Sequence, residues 1–180
     1  MRIIAGDYKG RRLIAPQDYS VRPTTDKVKE AMFSMLQMRI DGATVLDLFA
    51  GTGNLGLEAL SRGADRCIFC DAKKSSIDLV KENIAMCRAG EYSEVIWGDW
   101  MKALSRISGQ EKMDIILLDP PYAKGLLPDV LAKIKELDIL AEDGIIVCEH
   151  YKQTELADDE SGFQKLKSKH YGKVVLSLFV

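Results

Sequence analysis

"TVLDLFAGTGNLGLEAL", residues 44–60, changes character at its glycines. The first six residues form an apolar run of strand type, and a helical pattern over 54–62 follows the turn. Gly51, Gly53 and Gly56 stand in a G-x-G-x-x-G arrangement. Residues without a Cβ permit a tight turn and let a ligand approach the backbone closely. Strand, glycine turn and helix in this order open a parallel α/β sheet.

Downstream the alternation continues. Strand patterns fall at 66–71, 94–98, 113–119 and 144–150, separated by helical patterns at 74–88, 100–107 and 126–138. Parallel neighbours need crossovers of this length, so the pattern predicts a sheet covered on both faces. The tail, "FQKLKSKHYGKVVLSLFV", reads as two strands joined around Tyr171 to Lys173, a hairpin that pairs antiparallel at one edge. Five strands and the hairpin's two predict a seven-stranded, mostly parallel sheet.

Upstream of residue 43 the composition differs. "RIIAG" and "RRLIAP" flank the turn-rich "DYKG", which predicts a small hairpin over 2–15. Val28, Met32, Met35 and Leu36 make one apolar stripe on a helix over 25–38, with Pro23 and either Thr24 or Thr25 as its start signal. Residues 1–42 therefore read as a basic hairpin-and-helix extension on an α/β body of 43–180, the two forming one compact unit.

The whole chain has 180 residues, 47% apolar and 29% charged, as expected of one globular domain. No stretch approaches the roughly 20 apolar residues of a membrane span, and "MRIIAGDYKGRR" has no secretory pattern, so a cytoplasmic location is expected. Four cysteines stand at 67, 70, 87 and 148. Cys67 and Cys70 have C-x-x-C spacing, but no second pair or nearby histidine completes a zinc set, so no metal is expected. Reduced, structural cysteines fit a reducing compartment.

A net charge of −2 argues against a nucleic-acid partner, yet the distribution argues for one. Residues 1–29 hold seven Lys and Arg against three acids, a balance of +4, and the remainder carries −6. A basic end on an acidic body suggests one face that meets phosphates.

Ligands of open parallel sheets sit at the carboxyl ends of strands where strand order reverses. Four successive strands end in aspartate: Asp47, Asp71, Asp99 and Asp119. A glycine turn alone reads first as a dinucleotide site. Asp47, four residues before Gly51, opposes a pyrophosphate and suits a cation, and 180 residues leave no room for a substrate domain. S-adenosylmethionine carries an ammonium and a sulfonium and no phosphate, so it is the expected cofactor. Its candidate contacts are Asp47, Phe49, Gly51, Gly53, Asn54 and Gly56, with Asp71 for the ribose. Asp99 is placed to reach the adenine amine, and Trp97 or Trp100 to wall it.

"DIILLDPPYAKG", 114–125, ends a buried strand on an aspartate, two prolines and a tyrosine. Asp119, Pro120, Pro121 and Tyr122 match the D-P-P-Y signature of enzymes that methylate planar nitrogens. Together with "DLFAGTGNLGLEALSRGA", "MRIIAGDYKGRRL", "RPTTDKVKEAMFSML" and "YGKVVLSLF", the chain resembles the RsmD family from end to end. The resemblance implies a Rossmann-like S-adenosylmethionine-dependent methyltransferase fold. It also implies methylation of the exocyclic N2 amine of a guanine in 16S ribosomal RNA, within a small-subunit particle. Asp119 and the Pro120 carbonyl would then accept the amine hydrogens while Tyr122 stacks on the base. The ribose acid of such proteins is often Glu; here Asp71 shortens the reach by one methylene.

Lys9, Arg11, Arg12 and Arg22 are the candidate phosphate contacts. Arg22 and Thr25 have a second reading, because their segment resembles one that packs near the cofactor carboxylate in related enzymes. His150 and His170 read as structural or surface groups, with His150 at a strand end that borders the substrate side. Two rival readings stand beside this one: a DNA adenine or cytosine amine methyltransferase, and a nucleotide-dependent oxidoreductase or non-catalytic cofactor module. Nothing in the pattern demands more than a monomer.

Overall fold

The computed structural model describes residues 1–16, 25–121 and 125–180. Helix α1 (Asp26–Leu36) precedes β1 (Thr44–Asp47), α2 (Asn54–Ser61), β2 (Arg66–Asp71), α3 (Lys74–Cys87), β3 (Ser93–Trp97), α4 (Trp100–Ile107) and β4 (Met113–Leu118). Then come α5 (Leu127–Glu136), β5 (Leu140–Tyr151), β6 (Asp159–Glu160), β7 (Phe163–Tyr171) and β8 (Val174–Phe179). The strands form one sheet in the order β3-β2-β1-β4-β5-β8-β7-β6. β1 to β5 are parallel, and β8, β7 and β6 are antiparallel.

Alternation along each strand sorts the core onto two faces. Val45, Cys67, Phe69, Ile115, Leu117, Val147 and Leu176 pack beneath α1, α2 and α3. Leu46, Ile68, Cys70, Ile116, Leu118, Ile146 and Cys148 pack beneath α4 and α5. All four residues of β1 are buried, as a central strand covered on both sides requires. Cys67 and Cys70 thus lie on opposite faces of β2, and all four cysteines are free and buried.

Three expectations are corrected. The sheet has eight strands rather than seven, because the two-residue β6 pairs with the start of β7. Two residues are too few to show a period of two. β5 begins at Leu140 rather than 144, its first residues paired with Met113 ahead of an irregularity in the register. The N-terminal hairpin closes through a single Arg2–Arg12 bridge, with Ile3 N–H donating to Arg11 O and Gly10 N–H to Ile3 O, rather than through two regular strands. Ile3 and Leu13 nonetheless reach the core under α1 and α2. No helix among the described residues is long and apolar enough to cross a membrane.

Candidate active site

β1 has β2 on one side and β4 on the other, so strand order reverses between β1 and β4. Asp47 lies level with Phe69 of β2 and Leu117 of β4, and Asp71 level with Trp97 of β3. The four predicted aspartates therefore collect along one edge of the sheet.

The glycine turn is built against that edge. Gly51 and Gly53 adopt φ of 57° and 77°, a region that L side chains rarely occupy, and Gly53 N–H donates to Ala50 O at 2.7 Å. A Cβ on Gly56 would sit 2.3 Å from the Phe69 ring and 2.6 Å from the Cys67 sulfur, so α2 lies bare against β2. Asp47 is buried under this turn, and its Oδ2 accepts the Gly56 N–H at 2.9 Å. Burial pushes its carboxyl up to about 7; the Gly56 amide pulls it down and the Asp71 charge pushes it up. Asp47 thus shapes the turn from below. Asp71 is half-buried, with Oδ2 accepting Gly51 N–H at 2.9 Å and Oδ1 accepting Lys73 N–H at 2.8 Å. Each of its oxygens keeps a second acceptor site.

Asp99 caps α4, its Oδ1 accepting Lys102 N–H at 2.9 Å, and its side chain stays 41% exposed. Trp100 and Phe49 are half-buried against the α4–α5 core, while Trp97 is exposed and donates its indole N–H to Ala72 O at 3.2 Å. Asp119 is half-buried, Pro120 buried and Pro121 exposed, directly after β4. Tyr122 and Arg22 lie outside the described residues, as do Pro23 and Thr24. Thr25 is the N-cap of α1, its side chain accepting Val28 N–H.

Other predicted residues are spent elsewhere. The Asn54 side chain turns to α1, where its Oδ1 accepts from Lys29 Nζ at 2.7 Å. Arg11 donates to Met86 O and Cys87 O at the end of α3 and lies over the Tyr8 ring, whereas Lys9 and Arg12 are exposed. His150 is buried between Tyr151 O and the Ser177 hydroxyl, and burial lowers its pKa.

Two groups went unseen in the sequence. Lys29 and Glu58, both fully buried, pair at 2.9 Å, and Glu58 also accepts from Ile4 N–H, Ala5 N–H and Arg62. A signal existed: Lys29 shares a helix face with Met32 and Leu36. Asn83 is buried and donates to Thr52 O at 2.9 Å and Ile14 O at 3.1 Å, tying the glycine turn to the N-terminal segment. No spacing in the sequence marks that bridge.

The amides of Gly51, Gly53 and Gly56 are thus all taken by protein acceptors, two of them aspartate side chains. A pyrophosphate requires such amides to be free, and the Asp71 carboxylate on the Gly51 amide repels it. The sheet order with this acid-backed turn, beside Asp119–Pro121, defines the Rossmann-like methyltransferase class. Residues 1–180 match the family model described as Conserved hypothetical protein 95. The chain belongs to that family, the RsmD family. A Bacillus subtilis protein named "Putative rRNA methyltransferase YlbH" is 41% identical over 99% of this chain and 98% of its own. The Haemophilus influenzae protein named Ribosomal RNA small subunit methyltransferase D is 34% identical over 99% of this chain and 93% of its own. The solved structure described as "Putative methyltransferase yhhF from Escherichia coli" superposes with a TM-score of 0.88 at 32% identity, covering 99% of this chain and 96% of that one.

Proposed function

We propose that this protein methylates the exocyclic N2 amine of a guanine in 16S ribosomal RNA, using S-adenosylmethionine, in the cytoplasm and as a monomer. One observation carries the reading: the acid-backed glycine turn after β1 stands next to Asp119-Pro120 after β4, on hydrogen-bonded neighbouring strands. The names of the relatives point the same way.

S-adenosylmethionine, when bound, supplies an electrophilic methyl group. Gly51, Gly53 and Phe49 would line its site, Asp71 would accept from ribose hydroxyls, and Asp99 and Trp100 would flank the adenine. Asp47 and Asn54 support that surface from behind, through Gly56 and Lys29. The guanine amine is a poor nucleophile because its lone pair is delocalised into the ring. Asp119 accepts one of its hydrogens and the Pro120 carbonyl the other, which favours a pyramidal nitrogen. Pro120 and Pro121 hold those acceptors stiffly, so they need no rearrangement as charge develops. Asp119 finally takes up the proton the nitrogen loses. Tyr122 stacks on the extruded base. Residues 1–42 serve as RNA contact and as a cover over the cofactor, with Lys9, Arg12 and Arg22 on phosphates and Thr25, the N-cap of α1, on the side of the cofactor carboxylate. Their support is that Met1 accepts the Thr52 hydroxyl and Asn83 joins Ile14 to Thr52, seating the segment on the glycine turn.

Labelled methyl transfer into 16S rRNA, small-subunit particles and duplex DNA tests this. Label in the guanine N2 of RNA is expected; label confined to DNA overturns the reading. S-adenosylhomocysteine, and not NAD, should raise the melting temperature. Asp119→Ala should lower turnover by about 10²–10⁴-fold with cofactor affinity kept, and Asp119→Asn, which retains an acceptor oxygen, by less. Undiminished turnover in both variants removes Asp119 from the chemistry.

A further inference from the structure

Residues 161–180 contain four lysines and no acid. They form β7 and β8. β6 and the residue before it cover the outer side of β7 from Phe163 to Lys165, whose N–H donates to Asp158 O at 2.8 Å, so the strand beyond presents an open edge among the described residues. Lys167 and Lys169 are exposed on it. Their cross-strand partners, Leu178 and Leu176, belong to the core under α1 and α2, which places both lysines on that face, about 7 Å apart along the strand. Tyr171 follows on the same face, half-buried against that core.

The turn brings two more cations. Lys173 is exposed, and its carbonyl accepts Lys152 N–H at 3.0 Å, which sets the exposed Lys152 beside it. Both stand at the carboxyl end of β5, where Cys148 is level with Leu118, the residue before Asp119. β8 and β7 are two and three strands from β4, about 10 and 14 Å. The acids Asp158, Asp159 and Glu160 gather at the far end of β7, where Asp158 pairs with Lys165. Lysines on an open edge also discourage edge-to-edge pairing, but Lys152 and Lys173 lie in turns, where no edge needs protection.

We propose that this hairpin is an RNA-backbone ribbon: Lys152, Lys167, Lys169 and Lys173 hold phosphates of unpaired nucleotides flanking the target base, and Tyr171 offers a stacking surface. The proposal rests on the RNA reading above and adds a second basic surface to the leader. Charge complementarity selects the occupant, since a row of ammonium groups spaced along a strand matches a phosphate backbone and an aromatic face between them accepts a base.

The test compares the wild type with the triple variants K167Q/K169Q/K173Q and K167R/K169R/K173R. Binding to a single-stranded RNA oligonucleotide across a salt series, and methyl transfer to rRNA and small-subunit particles, are the readouts. The Gln variant should raise KM for RNA about tenfold with turnover at saturation kept, and reduce the salt slope by about 2, at about 0.7 per lost contact. The Arg variant should restore both, and S-adenosylhomocysteine should stabilise all three proteins equally. An unchanged slope and KM overturn the ribbon. A loss seen on assembled particles but not on naked RNA assigns the hairpin to a protein partner and overturns it too. A wild type that binds S-adenosylhomocysteine but methylates no RNA overturns the functional reading instead.

Discussion

Burial holds the Asp47 carboxyl protonated up to about pH 7, whereas an exposed aspartate loses its proton near pH 4. Between those values the unfolded chain has released a proton that the folded chain keeps. Folding stability supplied by this residue therefore falls as pH rises through the window and levels off above 7, the reverse of an ion-paired aspartate. The total is on the order of 4 kcal/mol. Asp47→Asn keeps an oxygen for the Gly56 amide and removes the titration. Urea unfolding should show the variant gaining on the wild type by about 2–3 kcal/mol between pH 5 and pH 8. A difference that stays flat over that range would remove the buried carboxyl from the balance. This is also where the sequence was half legible. Four aspartates at strand ends are readable from strand patterns, but whether a carboxylate faces the ligand or the underside of a turn depends on tertiary burial. Asp47 and Asp71 have the same local signature, yet Asp47 is buried and Asp71 only half-buried.

At the scale of elements, α1 was predicted from its apolar stripe and a threonine start, and it runs Asp26–Leu36 behind Thr25. Its energetic centre was not predicted. Lys29 Nζ is fully buried, bonded to Glu58, Asn54 Oδ1 and Arg2 O, and so joins α1, α2 and the N-terminal segment. Periodicity reports which face of a helix is buried and says nothing of a partner on another helix 29 residues away. Lys29→Met fills the space but strands the partner oxygens in a dry interior. Removing one member of such a buried pair costs about 3 kcal/mol or more, because the remaining charge loses its compensation. A urea midpoint lowered accordingly, with the m-value unchanged, is expected. A loss under about 1 kcal/mol would mean that Arg62 and the Ile4 and Ala5 amides satisfy Glu58 unaided. The opposite limit of legibility is β6, which exists only because Asp159 and Glu160 meet Gln164 and Phe163 across a turn.

For the whole molecule, the boundary near residue 42 is a change of composition and not a seam in the packing. Ile3 and Leu13 are buried in the same core as Val45, Leu57 and Leu117. Ile4 and Ala5 donate to Glu58, Ser61 donates to Ala5 O, and Asp7 N–H donates to Ser61 O. The alternation of strands and helices was readable because each element carries its own period. The docking of the leader was not, since its bonds run to residues more than 50 positions on. A chain starting at Thr25 loses two buried aliphatic side chains, worth about 1.5–3 kcal/mol each, and leaves Glu58 and Lys29 with unmet buried groups at about 1–3 kcal/mol each. The sum, about 5 kcal/mol or more, is comparable with the 5–15 kcal/mol that holds a domain folded. At about 2–4 °C per kcal/mol for this size, truncation should lower Tm by at least about 10 °C or abolish the cooperative melt. A removable RNA-binding arm would leave the melt within a few degrees of the full chain, with only RNA affinity reduced. Melting the truncated and full-length proteins side by side, followed by near-ultraviolet circular dichroism, therefore decides whether the leader is an appendage of the α/β body or a layer of it.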